Sequence, residues 1–174
     1  MVGAMSGDVV IELVRTEAQA DDVRAMAWEF VDWLRARYPE LLGAIDEYLV
    51  NQDFRGMLDS LLESFAPPNG ECLLARLDGA PVGILMLKPF EGRACEMNRM
   101  FVREAGRGRG VARALALRLI ERARELGYET MVLSALDRHH EALGLYRSLG
   151  FQEDARAPDT ESGADREVRM RLAL

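Results

Sequence analysis

The sequence predicts an α/β domain of the mixed α+β kind, with a central, partly parallel, twisted sheet flanked by helices. Three observations carry that prediction. Short apolar or alternating runs recur at 9–14, 71–77, 81–88, 95–102, 130–136 and 166–172, as strands do. Between them stand segments with apolar residues at i, i+3, i+4 and i+7, the mark of helices with one buried face. The chain has 174 residues, 49% of them hydrophobic and 29% charged. That length makes one domain rather than two, and buries a core without disulfide or structural metal.

The elements follow in order. After a flexible N-terminus at 1–8, residues 9–14 (VVIELV) form a first strand and open a domain that runs to 174. Val23, Met26, Ala27, Phe30, Val31 and Leu34 then line one helix face, and the helix ends before Pro39. Ile45, Tyr48 and Leu49, followed by Met57, Leu58, Leu61, Leu62 and Phe65, mark a second helical region, with Asp53 as an N-cap inside it. Pro67-Pro68-Asn69-Gly70 stops it. The runs 71–77 and 81–88 flank Asp78-Gly79, a dipeptide suited to the positive φ of a tight hairpin. A third strand, 95–102, feeds a glycine-rich turn and then a helix that buries Ala112, Leu115, Ala116, Leu119, Ala123 and Leu126 and stops at Gly127. A strand at 130–136 precedes a helix over 139–150, with Asp137 near its start and Gly150 at its end. The last strand alternates Val168, Met170 and Leu172 with arginines, as a half-buried antiparallel strand does. Asp154–Asp165 reads as a loop.

Composition narrows the function. A formal charge of −7 and a pI near 5.0 argue against non-specific nucleic-acid binding, which depends on neutralising phosphates. No apolar run is long enough to span a membrane, and MVGAMSGDVV lacks the features of a secretion signal. Two cysteines, Cys72 and Cys95, and two histidines give neither a disulfide scaffold nor zinc spacing. The expectation is a reduced, cytoplasmic protein without a metal.

Chemistry concentrates where strand 95–102 runs into Ala105-Gly106-Arg107-Gly108-Arg109-Gly110 and then a helix. Unpaired backbone N–H groups and the positive end of the helix dipole make such a turn a phosphate site. Gly108 and Gly110 let the backbone approach an anion, and Arg107, Arg109 and Arg113 add charge. A plain turn with solvated arginines is the alternative. Neither GxxxxGK[ST] nor GxGxxG is present, so ATP and NAD fit this loop poorly.

Arg107-x-x-Gly110-x-Ala112 does resemble the [QR]-x-x-G-x-[GA] motif of the GNAT acyltransferases. Ala142-x-x-Leu145-Tyr146-x-x-x-Gly150-Phe151 resembles that family's second motif, A-x-x-L-Y-x-x-x-G-F, at the expected distance downstream. The resemblance implies an acyl-CoA N-acyltransferase fold that binds acetyl-CoA. It places the CoA pyrophosphate on Arg107, Gly108, Arg109, Gly110, Val111 and Ala112, with Arg113 near the phosphates, and the pantetheine along the main chain of Met100, Phe101 and Val102. Many members carry Asn three residues before the motif alanine, Ala142. Here that position is His139, a weak cofactor contact or a surface histidine at a helix start.

The resemblance makes Tyr146 the acid that protonates the departing CoA thiolate; a core aromatic is the other reading. Glu96, eleven residues before Arg107, is the candidate base. Glu96, Asn98 and Arg99 are three polar residues in a strand that should be buried, which is costly unless they are paired or functional. A desolvated Glu96 would become a better base; structural pairing with Arg99 or Arg93, or a water chain acting as base, are the alternatives. The implied reaction moves an acetyl group to a primary amine by direct attack in a ternary complex. A non-catalytic CoA-binding sensor and an acyltransferase for longer acyl-CoA are the rivals. The acceptor is a small molecule or peptide, and a homodimer is plausible by resemblance.

Overall fold

The computed structural model describes residues 7–154 and 167–174. The expectations of a flexible segment at 1–8 and a loop at 154–165 fall almost wholly outside those residues. β1 (Val9–Leu13) leads to α1 (Glu17–Arg37). That helix starts in a capping box, in which the Thr16 hydroxyl accepts from the Gln19 N–H and the Gln19 side chain accepts from the Thr16 N–H. Ala20, Val23, Met26, Ala27 and Val31 form its buried stripe, close to the predicted one.

The second helical region divides into α2 (Leu42–Asn51), α3 (Phe54–Asp59) and α4 (Leu61–Ser64). Asp53 caps as expected, its carboxylate accepting from the Gly56 N–H at 3.3 Å. Its φ of 44° breaks the helix there. Tyr48 of α2 stays half exposed rather than entering the core.

Among the described residues, seven strands form one sheet in the order β1-β2-β3-β4-β5-β7-β6. The remaining strands are β2 (Glu71–Leu77), β3 (Ala80–Pro89), β4 (Ala94–Val102), β5 (Thr130–Leu136), β6 (Gln152–Glu153) and β7 (Glu167–Ala173). Only β4 and β5 run parallel; the other pairings are antiparallel, so the sheet is mostly antiparallel. Asp78 and Gly79 both have positive φ, 51° and 83°, the geometry of a type I′ hairpin. The short edge strand β6 is an addition to the predicted order.

Helices cover both faces. α5 (Val111–Glu125) and α6 (His140–Ser148) bury Leu115, Leu119, Leu143 and Tyr146 against Leu85, Leu87, Met97, Met131 and Met170. On the other face Val23, Met26, Phe54, Leu58 and Leu61 pack on Leu74, Ile84 and Met86. Gly127 and Gly150 close α5 and α6 in the left-handed conformation, as predicted. Asp137 does not cap α6. His139 holds the N-cap position, and it makes no capping hydrogen bond. No helix among the described residues is long and apolar enough to cross a membrane.

Among the described residues one carboxylate is fully buried. Glu71 accepts from Arg15 at 2.7 Å and Arg122 at 2.9 Å, joining β2 to the start of α1 and to α5. Burial alone would raise its pKa, but the two guanidinium groups and the Cys72 N–H hold it below the usual carboxylate range.

Two irregularities shape β4. Ile84 faces Phe101 while Met86 faces Asn98, so β4 carries an extra residue between them. Arg99 lies in this bulge with a φ of 55°. The bulge also reverses the strand's phase, because Cys95 and Met97 face α5 before it and Met100 and Val102 do so after it. The second irregularity is a fork. β4 and β5 pair only through Ala94–Glu96 and Thr130–Val132, although both strands continue beyond.

Candidate active site

The glycine turn leaves β4 through a 3-10 turn at Glu104–Gly106 and enters α5 at Val111. Gly108 and Gly110 have φ of 69° and 75°, values that an L side chain rarely adopts. A Cβ at either would meet nothing within 4 Å. The backbone therefore requires these glycines, while the space beside them stays open. No side chain caps α5, and its first internal bond runs from the Ala114 N–H to the Gly110 carbonyl at 3.0 Å. The preceding N–H groups remain available for an anion. Val111 is buried and fixes the helix start, Ala112 is half-buried, and Arg109 is exposed.

The arginines are distributed unequally. Arg107 folds back, its Nε donating to the Val102 carbonyl at 3.2 Å, with its guanidinium 5.9 Å from the Trp33 ring centre. Arg113 donates to Ser148 Oγ at 3.0 Å and so ties α5 to α6. Arg109 leaves its charge at the turn itself.

Beyond Glu96 the edge of β4 that faces β5 has no strand partner among the described residues; along Met100, Phe101 and Val102 the main-chain groups alternate, those of Val102 pointing to that edge and those of Phe101 to β3. An amide-bearing chain can pair with such an edge as an added strand would. The Val102 carbonyl already accepts from Arg107 and keeps one lone pair.

α6 brings Tyr146 to the α5 side of the fork. Ala142, one turn earlier on the same face, packs against the same core. Tyr146 is 8% exposed, its ring 6.0 Å from that of Phe151, and its hydroxyl has no hydrogen-bond partner among the described residues. Burial pushes its pKa up to about 12. His139, at the start of α6, sits instead beside Trp33 and Tyr38, at ring distances of 5.8 and 5.4 Å. Its Nε2 is buried and unpartnered, and burial together with nearby Arg37 lowers its pKa. It is thus not a plain surface histidine.

Glu96 is the last β4 residue paired with β5, opposite Val132. Its side chain projects from the face opposite to Cys95 and Met97, toward α1 and away from Tyr146. Neither Arg99 nor Arg93 pairs with it. Asn98 Nδ2 donates to Glu96 Oε1 at 3.0 Å and Lys88 Nζ lies 3.9 Å away, while Arg93 binds Glu129 and Arg99 donates to Asn98. Lys88 was hidden from sequence reading because it reaches Glu96 through the β3–β4 register. Both cysteines are buried and free; burial raises both thiols, that of Cys95 to about 12. Neither is a ready nucleophile.

Comparison with known proteins then decides the family. The model of the acetyltransferase (GNAT) family matches residues 27–151, which span the glycine turn, the fork and Tyr146. The chain belongs to the GNAT family. An uncharacterised N-acetyltransferase of Schizosaccharomyces pombe is 29% identical over 150 residues, 83% of each chain. The uncharacterised N-acetyltransferase YjgM of Escherichia coli is 34% identical over 116 residues, 65% of this chain and 70% of that one. The PaiA N-acetyltransferase of Thermoplasma acidophilum, solved with coenzyme A, shares the fold: the TM-score is 0.68 at 16% identity, over 95% of this chain and 99% of that one.

The protein is therefore a GNAT-type N-acetyltransferase, and both GNAT motifs seen in the sequence lie on the elements that frame the fork. The bulge was the missed feature of this GNAT site, and a signal for it existed. With Cys95 and Met97 facing inward, regular alternation would bury Arg99 beside them, and an arginine in that place marks a slip of phase.

Proposed function

We propose that this GNAT enzyme transfers an acetyl group from acetyl-CoA to a primary amine by direct attack within a ternary complex. The observation that carries this reading is the fork between β4 and β5 ending beside an uncapped glycine turn. The turn offers N–H groups to a pyrophosphate, and the open β4 edge offers main-chain groups to the pantetheine amides. Met100, Phe101, Val102, the turn 107–112, and Arg113 through its hold on α6 form that surface; Ala142 keeps the α6 face beside it narrow. His139, a weak cofactor contact in this reading, keeps a buried and unpartnered Nε2 beside Trp33 and Tyr38. Acetyl-CoA, when bound, would supply the acetyl thioester.

Placement supports the following roles for this chain's residues. Glu96, on the α1 face, takes a proton from the acceptor ammonium directly or through water. The freed amine forms the N–C bond as the C–S bond breaks; the new amide nitrogen loses a second proton, and the thiolate gains one. Tyr146, on the other face, meets the sulfur. A phenol held near 12 is a weak acid, so its first contribution is a hydrogen bond to the developing thiolate, with protonation completing afterwards. Two buried, high-pKa cysteines favour direct transfer over a cysteine-bound acyl intermediate.

The test is thiol release on mixing the protein with acetyl-CoA and a panel of amines, beside equilibrium dialysis with coenzyme A. Retention of coenzyme A with amine-dependent release supports the reading; no retention overturns it. Parallel runs with longer acyl-CoA settle the donor.

A further inference from the structure

Arg99 is held where an arginine costs energy. Its φ of 55° lies in the left-handed region that a side chain with a Cβ rarely adopts. The bulge places its guanidinium 5.0 Å from the centre of the Phe54 ring, in the layer beneath α3. There Nη1 donates to Asn98 Oδ1 at 3.1 Å, and Nε is buried without a partner. No carboxylate lies within ion-pair distance of this cation among the described residues; Glu96, one amide away through Asn98, acts on it only as a more distant charge. The fold treats its other inward arginines differently. Arg15 and Arg122 share Glu71, Arg76 has Glu12 and Asp22, and Arg103 has Glu29. A buried charge left alone is expensive, and a guanidinium is always protonated.

The free edge of the fork-shaped group, Nε with Nη2, is the edge that a carboxylate takes with two parallel hydrogen bonds. Asn98 is the link to the chemistry, since its one amide binds Arg99 through Oδ1 and Glu96 through Nδ2. The candidate base and the unmatched cation are thus one amide side chain apart on a single sheet face.

We propose that Arg99 binds a carboxylate of the acceptor, so that the amine acetylated here belongs to an amino acid or a close amino-carboxylate analogue. The carboxylate docks on Nε and Nη2 of Arg99, and the amine lies toward Glu96. This rests on the acetyltransferase reading and adds the class of acceptor to it.

The experiment compares matched trios in the thiol-release assay: a free amino acid, its primary amide and its decarboxylated amine, with aliphatic, aromatic and acidic side chains. In at least one trio the acid exceeds both partners by about 10²-fold in kcat/KM. Arg99→Gln lowers kcat/KM for that acid by roughly 10²- to 10³-fold, the scale for losing one member of a buried charge pair, and leaves the decarboxylated amine within a few-fold. Arg99→Lys keeps part of the preference. Arg99→Met keeps the apolar stem and breaks no ion pair, only the bond to Asn98 and the contact with Phe54, so it melts within a few degrees of the parent. Equal turnover within every trio, or an equal fall for all three members in Arg99→Gln, overturns the proposal while leaving an active acetyltransferase. Failure to retain coenzyme A strikes the enclosing reading, and the proposal falls with it.

Discussion

At the scale of single residues, Tyr146 separates two kinds of contribution. Tyr146→Phe removes only the hydroxyl from a buried ring, so folding should survive while kcat falls about 10²-fold, the usual size for a proton-donating group. The raised pKa adds a pH criterion. The phenol stays protonated through pH 10, so any basic limb in the wild-type rate profile below that pH should persist unchanged in Tyr146→Phe. Glu96→Gln should lower kcat/KM by a similar factor, with partial recovery in Glu96→Asp; an unaltered rate assigns the base to water. Tyr146 and Glu96 could be nominated from sequence because one lies in a motif and the other interrupts an apolar strand. Their partners could not. Lys88 meets Glu96 through strand register, and the His139 ring meets Trp33 through the packing of α6 against α1, at separations that no local pattern encodes.

At the scale of elements, the turn and the bulge behave oppositely under reading. Gly108 and Gly110 were legible because a helix start without a capping side chain, preceded by glycines, has few uses. Gly110→Ala tests the turn. The added methyl meets no atom, so the penalty is the backbone one, about 1 kcal/mol, while weaker coenzyme A binding should appear in dialysis as a several-fold rise in Kd. Helix α6 shows how local rules fail. Asp137 is a good capping residue by type, yet the chain turns at His139, whose ring is held by Tyr38 and Trp33. Tertiary packing there outweighs the roughly 1 kcal/mol that a cap offers. The bulge is an insertion of one residue in the pairing and leaves only a phase error in the sequence, which becomes readable once the inward face is known.

At the scale of the molecule, the order of strands and helices followed from hydrophobic period and turn chemistry, because burial fixes both. The balance of parallel and antiparallel pairing did not, since it depends on which strands meet. The long-range staple at Glu71 was equally silent. Glu71→Gln leaves Arg15 and Arg122 without a counter-charge and should cost roughly 3 kcal/mol, tempered by the partial exposure of Arg15. The sign with pH is fixed. The folded-state pKa lies below the unfolded one, so this contribution is complete above the ordinary carboxylate value of about 4.3 and is lost as pH falls through the lowered one. The melting difference between wild type and Glu71→Gln should accordingly be constant near neutrality and shrink in acid.

The sheet's two parts, β1–β4 and β5–β7, are seamed along their strands only at Ala94–Glu96 and Thr130–Val132. A zip halted after three teeth is the place where a continuous fabric can breathe. Local opening should therefore begin at the last tooth, Glu96 opposite Val132, and amide deuterium uptake there should outpace that of β2 and β3. A molecule wedged in the gap would act as the missing slider, slowing that uptake and making the halves move as one.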